Sequence, residues 1–153
     1  MPHSRNLCRI VAVLPVFVIS VLILGCSEKQ GDRKATAPVI GKVEVDGAVP
    51  NPAVRIECHP IQGMDQKKPS VSWCMTNPDG TFAISTYEQG DGVPEGEYAL
   101  TFMWGQVNMI SMSYGGPDRL GGKYDDISES PKTFTVKGDS EIDLGTISLT
   151  SKK

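Results

Sequence analysis

From Pro38 onward, short runs of alternating apolar and polar residues are separated by turn-forming residues. The segment 53–58 shows the pattern most clearly, because Val54, Ile56 and Cys58 fall on one side and charged residues fall on the other. A repeat of two residues is typical of a strand with one buried face. The pattern predicts seven strands, over residues 39–45, 53–58, 71–76, 81–86, 96–104, 132–136 and 142–149.

Turn residues between these runs indicate how the strands are connected. Asp46-Gly47 directly follows the first predicted strand, and Asn77-Pro78-Asp79-Gly80 stands between the third and the fourth. Both segments favour tight turns, because proline pre-sets φ and glycine accepts a positive φ. After residue 25 no repeat of 3.6 residues persists, and the 16 Gly and 11 Pro argue against a helical bundle. The sequence therefore predicts an all-β domain over 38–150, a seven-stranded antiparallel β-sandwich.

The first 25 residues differ in composition from the rest of the 153-residue chain. Arg5 and Arg9 precede an apolar run from Ile10 to Leu24, and no acidic residue occurs before Glu28. As a helix this run would span roughly 22 Å, less than the roughly 30 Å of a hydrocarbon core. A basic start followed by a short apolar run is typical of a cleaved export signal.

The apolar run ends in Leu22-Ile23-Leu24-Gly25-Cys26, which resembles the lipobox of bacterial lipoproteins. The resemblance implies acylation of the Cys26 thiol, cleavage after Gly25 and anchoring in a membrane of the cell envelope, since two or more acyl chains hold a protein stably. By the habit of this family, Ser27 favours the outer membrane. We therefore expect a lipoprotein signal peptide at 1–25 and a flexible, polar tether at 26–37. The alternative is an ordinary secretory signal in which Cys26 has no role.

A second resemblance rests on short motifs that occur in a fixed order: Ile40-Gly41-Lys42-Val43, Asp46-Gly47-Ala48, Ala53-Val54-Arg55-Ile56, the segment from Thr76 to Ile84 and the segment from Val93 to Leu100. They are similar to the motifs of the carboxypeptidase regulatory-like domain. That resemblance implies a transthyretin-like sandwich with an immunoglobulin-like architecture. Asn77 stands where this family usually has Asp, and Asn forms the same kind of turn. The motifs mainly encode turns, so they imply a fold rather than a ligand.

Charge and histidine content argue against several classes of function. Removal of residues 1–25 leaves 13 basic and 18 acidic residues, a net charge of −5, without a basic cluster. Such an acidic chain is a poor binder of nucleic acid, and we expect no nucleic-acid partner. His59 is the only histidine after His3. A single histidine cannot build a multi-histidine metal centre, so we expect no metal, no cofactor and no catalytic residue.

Cys58 and Cys74 are the cysteines of the predicted domain, and they lie on consecutive predicted strands. Export to an oxidising compartment favours a disulfide between them, which would stabilise the fold by about 3 kcal/mol for a loop of this length. The alternative is a pair of buried thiols that pack as small apolar side chains.

Residues 105–131 form the longest stretch without a strand pattern, and their aromatic and methionine content argues against disorder. Loops of this length are usually functional. Trp104, Tyr114 and Tyr124 therefore make up a candidate ligand surface. Two alternatives stay open. One is a loop packed over one end of the sandwich, and the other is a soft copper(I) site formed by methionines near Trp104.

These features together indicate a non-enzymatic, lipid-anchored module of the bacterial cell envelope that contacts a protein or a glycan, or supports envelope structure. One alternative is an enzyme on a transthyretin-like scaffold, such as hydroxyisourate hydrolase. That family needs several histidines and a C-terminal Tyr-Arg-Gly-Ser, whereas this chain ends in Thr150-Ser151-Lys152-Lys153. Another alternative is an accessory subunit of a secreted enzyme or transporter.

Overall fold

The computed structural model describes residues 33–152. The predicted signal peptide, the lipobox with Cys26 and the first part of the predicted tether lie outside these residues. Eleven strands and one turn of 3₁₀ helix occur within 33–152, and no helix in this range is long and apolar enough to cross a membrane.

The strands are β1 Thr36–Ala37, β2 Val39–Val45, β3 Arg55–Pro60, β4 Ser72–Met75, β5 Thr81–Ala83, β6 Val93–Pro94, β7 Gly96–Met103, β8 Gln106–Asn108, β9 Ser113–Gly115, β10 Thr133–Val136 and β11 Ile142–Leu149, and the 3₁₀ turn is Ile127–Glu129.

Two sheets packed face to face form a β-sandwich. The larger sheet has the strand order β10-β7-β3-β4, and the smaller sheet has the order β11-β2-β5. Their inner faces follow the two-residue alternation. On β3, for example, Ile56 and Cys58 point inward and pair with Phe102 and Leu100 on β7. The largest fully buried side chains of the resulting core are Phe102, Ile56, Ile84, Leu100, Leu120 and Leu149.

All seven predicted strands are present, so the predicted β-sandwich is confirmed. Their bounds differ from the prediction by up to three residues, and four shorter strands (β1, β6, β8 and β9) were not predicted. One pair departs from the antiparallel pattern, because β11 runs parallel to β2, with Ile142 opposite Val39 and Leu149 opposite Val45. Alternation reports which side of a strand is buried, and it carries no information about the direction of the neighbouring strand.

The folded part of the chain begins before residue 38, so the predicted tether extends too far. Ala37 is fully buried, and β1 pairs with β6 in an antiparallel ladder. Nearby, the Lys34 ammonium lies 2.6 Å from the Asp65 carboxylate. Small and polar residues made this segment look unstructured, but a short strand needs only one buried side chain to pack against the core.

We predict that Gly92→Ala destabilises the fold more than Gly90→Ala does. Both glycines have positive φ, +84° and +74°, which costs an alanine about 1–2 kcal/mol. At Gly92 the added methyl group would also overlap the Ala37 carbonyl, which adds about 1–3 kcal/mol for overpacking. Urea unfolding of the two variants measures the difference. Equal losses of unfolding free energy would contradict the packing of β1 against Gly92.

Candidate functional site

A row of side chains crosses the larger sheet on the side that faces away from the core. The alternation along β3 places Arg55, Glu57 and His59 on this side, between residues that enter the core. Glu57 is paired with Trp73 on β4 and with Thr101 on β7, so these three form a row across three strands. We call this surface, formed by Arg55, Glu57, His59, Trp73 and Thr101, the outer face.

Polar contacts order the side chains of the outer face. The Arg55 Nη2 lies 2.8 Å from Glu57 Oε1, and the guanidinium carbon lies 5.5 Å from the centre of the Trp73 ring. The latter distance is within the range of a cation–π interaction. His59 Nε2 lies 2.9 Å from Thr101 Oγ1. The outer face thus combines a donor-only group, an acceptor-only group and two groups that can do either.

The sequence around β4 presents its larger apolar side chains to solvent. Ser72 and Cys74 point into the core, whereas Val71 and Trp73 are exposed, Trp73 to 45%. The buried Ser72 hydroxyl forms a hydrogen bond with Thr86 Oγ1 at 2.8 Å. This bond lowers the cost of turning a polar side chain inward while the larger apolar side chains face solvent. A partly exposed tryptophan beside charged side chains is a common feature of binding surfaces.

Concave space adjoins the outer face on two sides. A cavity of about 240 Å³ lies between β3, β7 and the loop after β9, and its lining includes Arg55, Glu57, His59, Thr101, Met103, Asp118 and Asp125. A second cavity, of about 540 Å³, follows the edge of β4, and Trp73 is part of its lining. Among residues 33–152, the Arg55 Nε is the only buried side-chain nitrogen or oxygen without a hydrogen-bond partner. Because this nitrogen is itself buried, it is not open to a ligand in the first cavity.

The contacts of His59 differ from those of a catalytic triad. In a triad, one ring nitrogen of the histidine faces the nucleophile and the other faces a carboxylate. His59 Nε2 approaches both Thr101 Oγ1, at 2.9 Å, and Glu57 Oε2, at 3.6 Å. In a triad, the carboxylate holds the ring nitrogen on the far side from the nucleophile. Here the Glu57 carboxylate approaches the same nitrogen as Thr101, so it cannot hold the ring while that nitrogen accepts the Thr101 proton. These contacts therefore do not match the geometry of an activated nucleophile.

The three aromatic residues expected to form a ligand surface hold the long loop against one end of the sandwich instead. Trp104 Nε1 donates to the Pro52 carbonyl at 2.8 Å, and the Tyr114 hydroxyl donates to the Ala53 carbonyl at 2.8 Å. Tyr124 is buried, and its hydroxyl lies 3.1 Å from Thr150 Oγ1. The polar ends of all three side chains are engaged within the fold. These contacts favour the packed loop over a joint aromatic ligand surface, which stays a prediction.

Asp118 organises the same loop. Its carboxylate accepts hydrogen bonds from the backbone N–H groups of Trp104 at 2.8 Å, Leu120 at 3.1 Å and Gly122 at 2.8 Å. Leu120 enters the apolar core, so the loop is held by both polar and apolar contacts. These contacts place Asp125 at the cavity beside the outer face.

Cys58 and Cys74 are free, buried thiols, so the predicted disulfide is absent from the structure. Cys58 is paired with Ser72 and Cys74 with Ile56, which makes the two cysteines diagonal neighbours on adjacent strands. Diagonal positions are about 7–8 Å apart, beyond the span of an unstrained disulfide. Burial raises the pKa of Cys74 to about 12, and burial together with the nearby Cys74 raises the pKa of Cys58 well above its usual value.

Comparison with known proteins adds no family and no function. No known protein family matches the chain, and no curated protein matches it either. A 9R-lipoxygenase from Cyanothece PCC8801 matches 75% of this chain at 13% identity, with a TM-score of 0.36. A DUF3823 family protein from Parabacteroides merdae matches 78% of it at 16% identity, with a TM-score of 0.40. The match covers 16% of the first protein and 47% of the second, so this chain spans less than half the length of either.

Sequence reasoning missed Trp73 and assigned no role to His59, although both belong to the outer face. The signal for Trp73 lies in its neighbours. Val71 and Trp73 alternate with Ser72 and Cys74, so the bulkier apolar residues share one side of this segment. That pattern normally predicts a buried tryptophan. Within 33–152, no cluster of three or more His, Cys, Asp or Glu side chains is arranged to hold a metal ion.

We predict that Cys58 and Cys74 resist alkylation in the folded protein. Their raised pKa values leave almost no thiolate at pH 8, and both thiols are buried. Mass spectrometry after treatment with N-ethylmaleimide should show neither cysteine modified in buffer and both modified in urea without reductant. A product 2 Da lighter that stays unmodified in urea would instead reveal a disulfide.

Proposed function

We propose that this protein is a lipid-anchored module of the bacterial cell envelope that binds a glycan on its outer face without transforming it. The observation that carries the proposal is the exposed Trp73 in line with Glu57 and Thr101, beside Arg55 and His59. The lipobox-like segment that ends in Cys26 supports the anchor.

A sugar presents apolar C–H bonds and polar hydroxyl groups. The outer face carries an aromatic ring that suits the first and polar side chains that suit the second. The C–H bonds on one side of a sugar ring stack on the electron-rich face of an aromatic ring, and Trp73 offers a partly exposed one. Sugar hydroxyls both donate and accept hydrogen bonds. Arg55 donates, Glu57 accepts and His59 can do either, so several hydroxyl orientations can be satisfied. Thr101 is itself buried and holds His59 through the hydrogen bond to Nε2.

Charge favours a neutral glycan over an acidic polymer. The described residues 33–152 contain 11 basic and 16 acidic side chains, which repel polyanions. Glu57, Asp118 and Asp125 line the cavity beside the outer face, and Arg55 is the only arginine or lysine in that lining. Because Arg55 is already paired with Glu57, it supplies directed hydrogen bonds rather than an excess positive charge.

Anchoring by acyl chains suits a binding module of this size. Two or more chains hold a protein at a membrane, whereas one chain binds only marginally. A membrane-bound module also meets an envelope glycan at high local concentration, so a modest affinity per site is enough.

We predict that Trp73→Ala weakens glycan binding at least about fivefold, because removal of a central aromatic side chain usually costs more than about 1 kcal/mol. Affinity electrophoresis against dextran, xylan and solubilised peptidoglycan measures the effect, with Trp73→Phe as the variant that keeps a ring. Ile61→Ala, beyond the far end of β3, serves as the control. Unchanged mobility of the wild-type protein in every glycan, or equal retardation of wild type and Trp73→Ala, would overturn the proposal.

We predict that Cys26→Ala abolishes lipid attachment, while Cys8→Ala in the predicted leader leaves it intact. Labelling of cells with radioactive palmitate, followed by membrane fractionation, separates the two variants. The wild type and Cys8→Ala should be labelled and sediment with membranes, and Cys26→Ala should lose the label. Unchanged membrane retention and labelling of Cys26→Ala would refute the anchor without affecting the test of the outer face.

A further inference from the structure

A hairpin with an apolar tip projects from one end of the sandwich. It consists of β8 and β9, which pair with each other and with no other strand. The connecting segment carries Met109, Ile110 and Met112, whose exposed fractions are 80%, 97% and 75%. Val107 on β8 is also exposed. Three large apolar side chains at one tip, each more than two-thirds exposed, are too costly in water to be incidental.

The hairpin also lacks ionisable charge. From residue 105 to residue 117 the sequence contains no Asp, Glu, Lys or Arg, although these make up 22% of the whole chain. A segment of this composition can leave water without burying a charge, the most expensive part of transfer to an apolar medium.

Several polar groups at the tip are paired with one another. Asn108 Oδ1 accepts hydrogen bonds from the backbone N–H groups of Ile110 at 2.9 Å and Ser111 at 3.2 Å. The hydroxyls of Ser111 and Ser113 are 2.7 Å apart. A protein cleft would offer hydrogen-bond partners of its own, whereas the interior of a bilayer offers none. Internal pairing at the tip therefore favours a bilayer as its surroundings.

Basic and aromatic side chains lie at the base of the hairpin. The backbone N–H of Arg119 donates to the Trp104 carbonyl at 3.0 Å, just before β8 begins, and its guanidinium stacks 5.1 Å from the Trp104 ring centre. The backbone N–H of Lys152 donates to the Arg119 carbonyl at 2.8 Å. Apolar groups at a tip with cations and an indole behind them match the order of acyl chains and phosphates in a phospholipid leaflet.

The base of the hairpin is fixed to the sandwich. The Tyr114 hydroxyl accepts a hydrogen bond from Gly105 N at 2.7 Å and donates to the Ala53 carbonyl at 2.8 Å. The hairpin therefore holds the tip in a defined direction before binding. Its side chains do not have to become ordered when they bind. Such pre-organisation lowers the entropic cost of insertion.

We propose that the β8–β9 hairpin inserts its tip, Met109, Ile110 and Met112, into a phospholipid bilayer, with Arg119 at the level of the phosphates. This inference does not depend on the outer face or on acylation.

Vesicle flotation with a chain that begins at residue 31 tests the proposal without any acyl anchor. Residues 31–153 form one compact unit with its own core, so this form retains the fold. Wild-type protein should float with phosphatidylcholine vesicles and with vesicles that contain phosphatidylglycerol. Ile110→Ser should lower the partition coefficient at least about tenfold. Ile61→Ser makes the same change at a residue 48% exposed at the opposite end of β3, and it should float like the wild type.

A fluorescent label gives an independent readout of tip insertion. An environment-sensitive dye on Ser111→Cys should shift to the blue on addition of vesicles, whereas the same dye on Lys67→Cys, near Ile61, should not. Equal flotation of wild type and Ile110→Ser, or an absence of flotation with both vesicle types, would overturn the proposal. Absence of flotation with an intact fold would point to a protein as the partner of the tip.

Discussion

The two-residue alternation along β3 is the constraint on which both the core and the outer face depend. Ile56 and Cys58 enter the space between the sheets, so Arg55, Glu57 and His59 are forced to the opposite side. A slip of one residue in the pairing would bury three ionisable groups and expose the core. The stability of the sandwich and the position of the outer face therefore have the same cause.

Much of the fold could be predicted from the sequence, because strands and turns are encoded locally. Alternation around Ile56 and the turn at Asn77-Pro78-Asp79-Gly80 each have one good solution. The parallel pairing of β2 with β11 could not be predicted in this way, since it joins residues about a hundred positions apart. The strand at Ala37 was missed because its single buried side chain leaves no periodic signal.

The candidate site was harder to predict than the fold, because its residues gain their meaning from their neighbours. Trp104, Tyr114 and Tyr124 have the composition of a ligand surface, but their hydrogen bonds to nearby backbone and side-chain groups give them a structural role. Trp73 is the reverse case, because it is a large aromatic residue that is partly exposed instead of buried. The residues on either side of it, Ser72 and Cys74, fit the core better, and their burial leaves the larger ring exposed. Neither outcome follows from residue type alone.

The parallel pairing of β2 with β11 has a mechanical consequence. These strands are adjacent and run in the same direction, from Ile142 beside Val39 to Leu149 beside Val45. A force that pulls the start of β2 away from the end of β11 acts along both strands, so it shears the whole ladder at once instead of unzipping it bond by bond. The sandwich is therefore built to resist traction between the start of β2 and the end of β11.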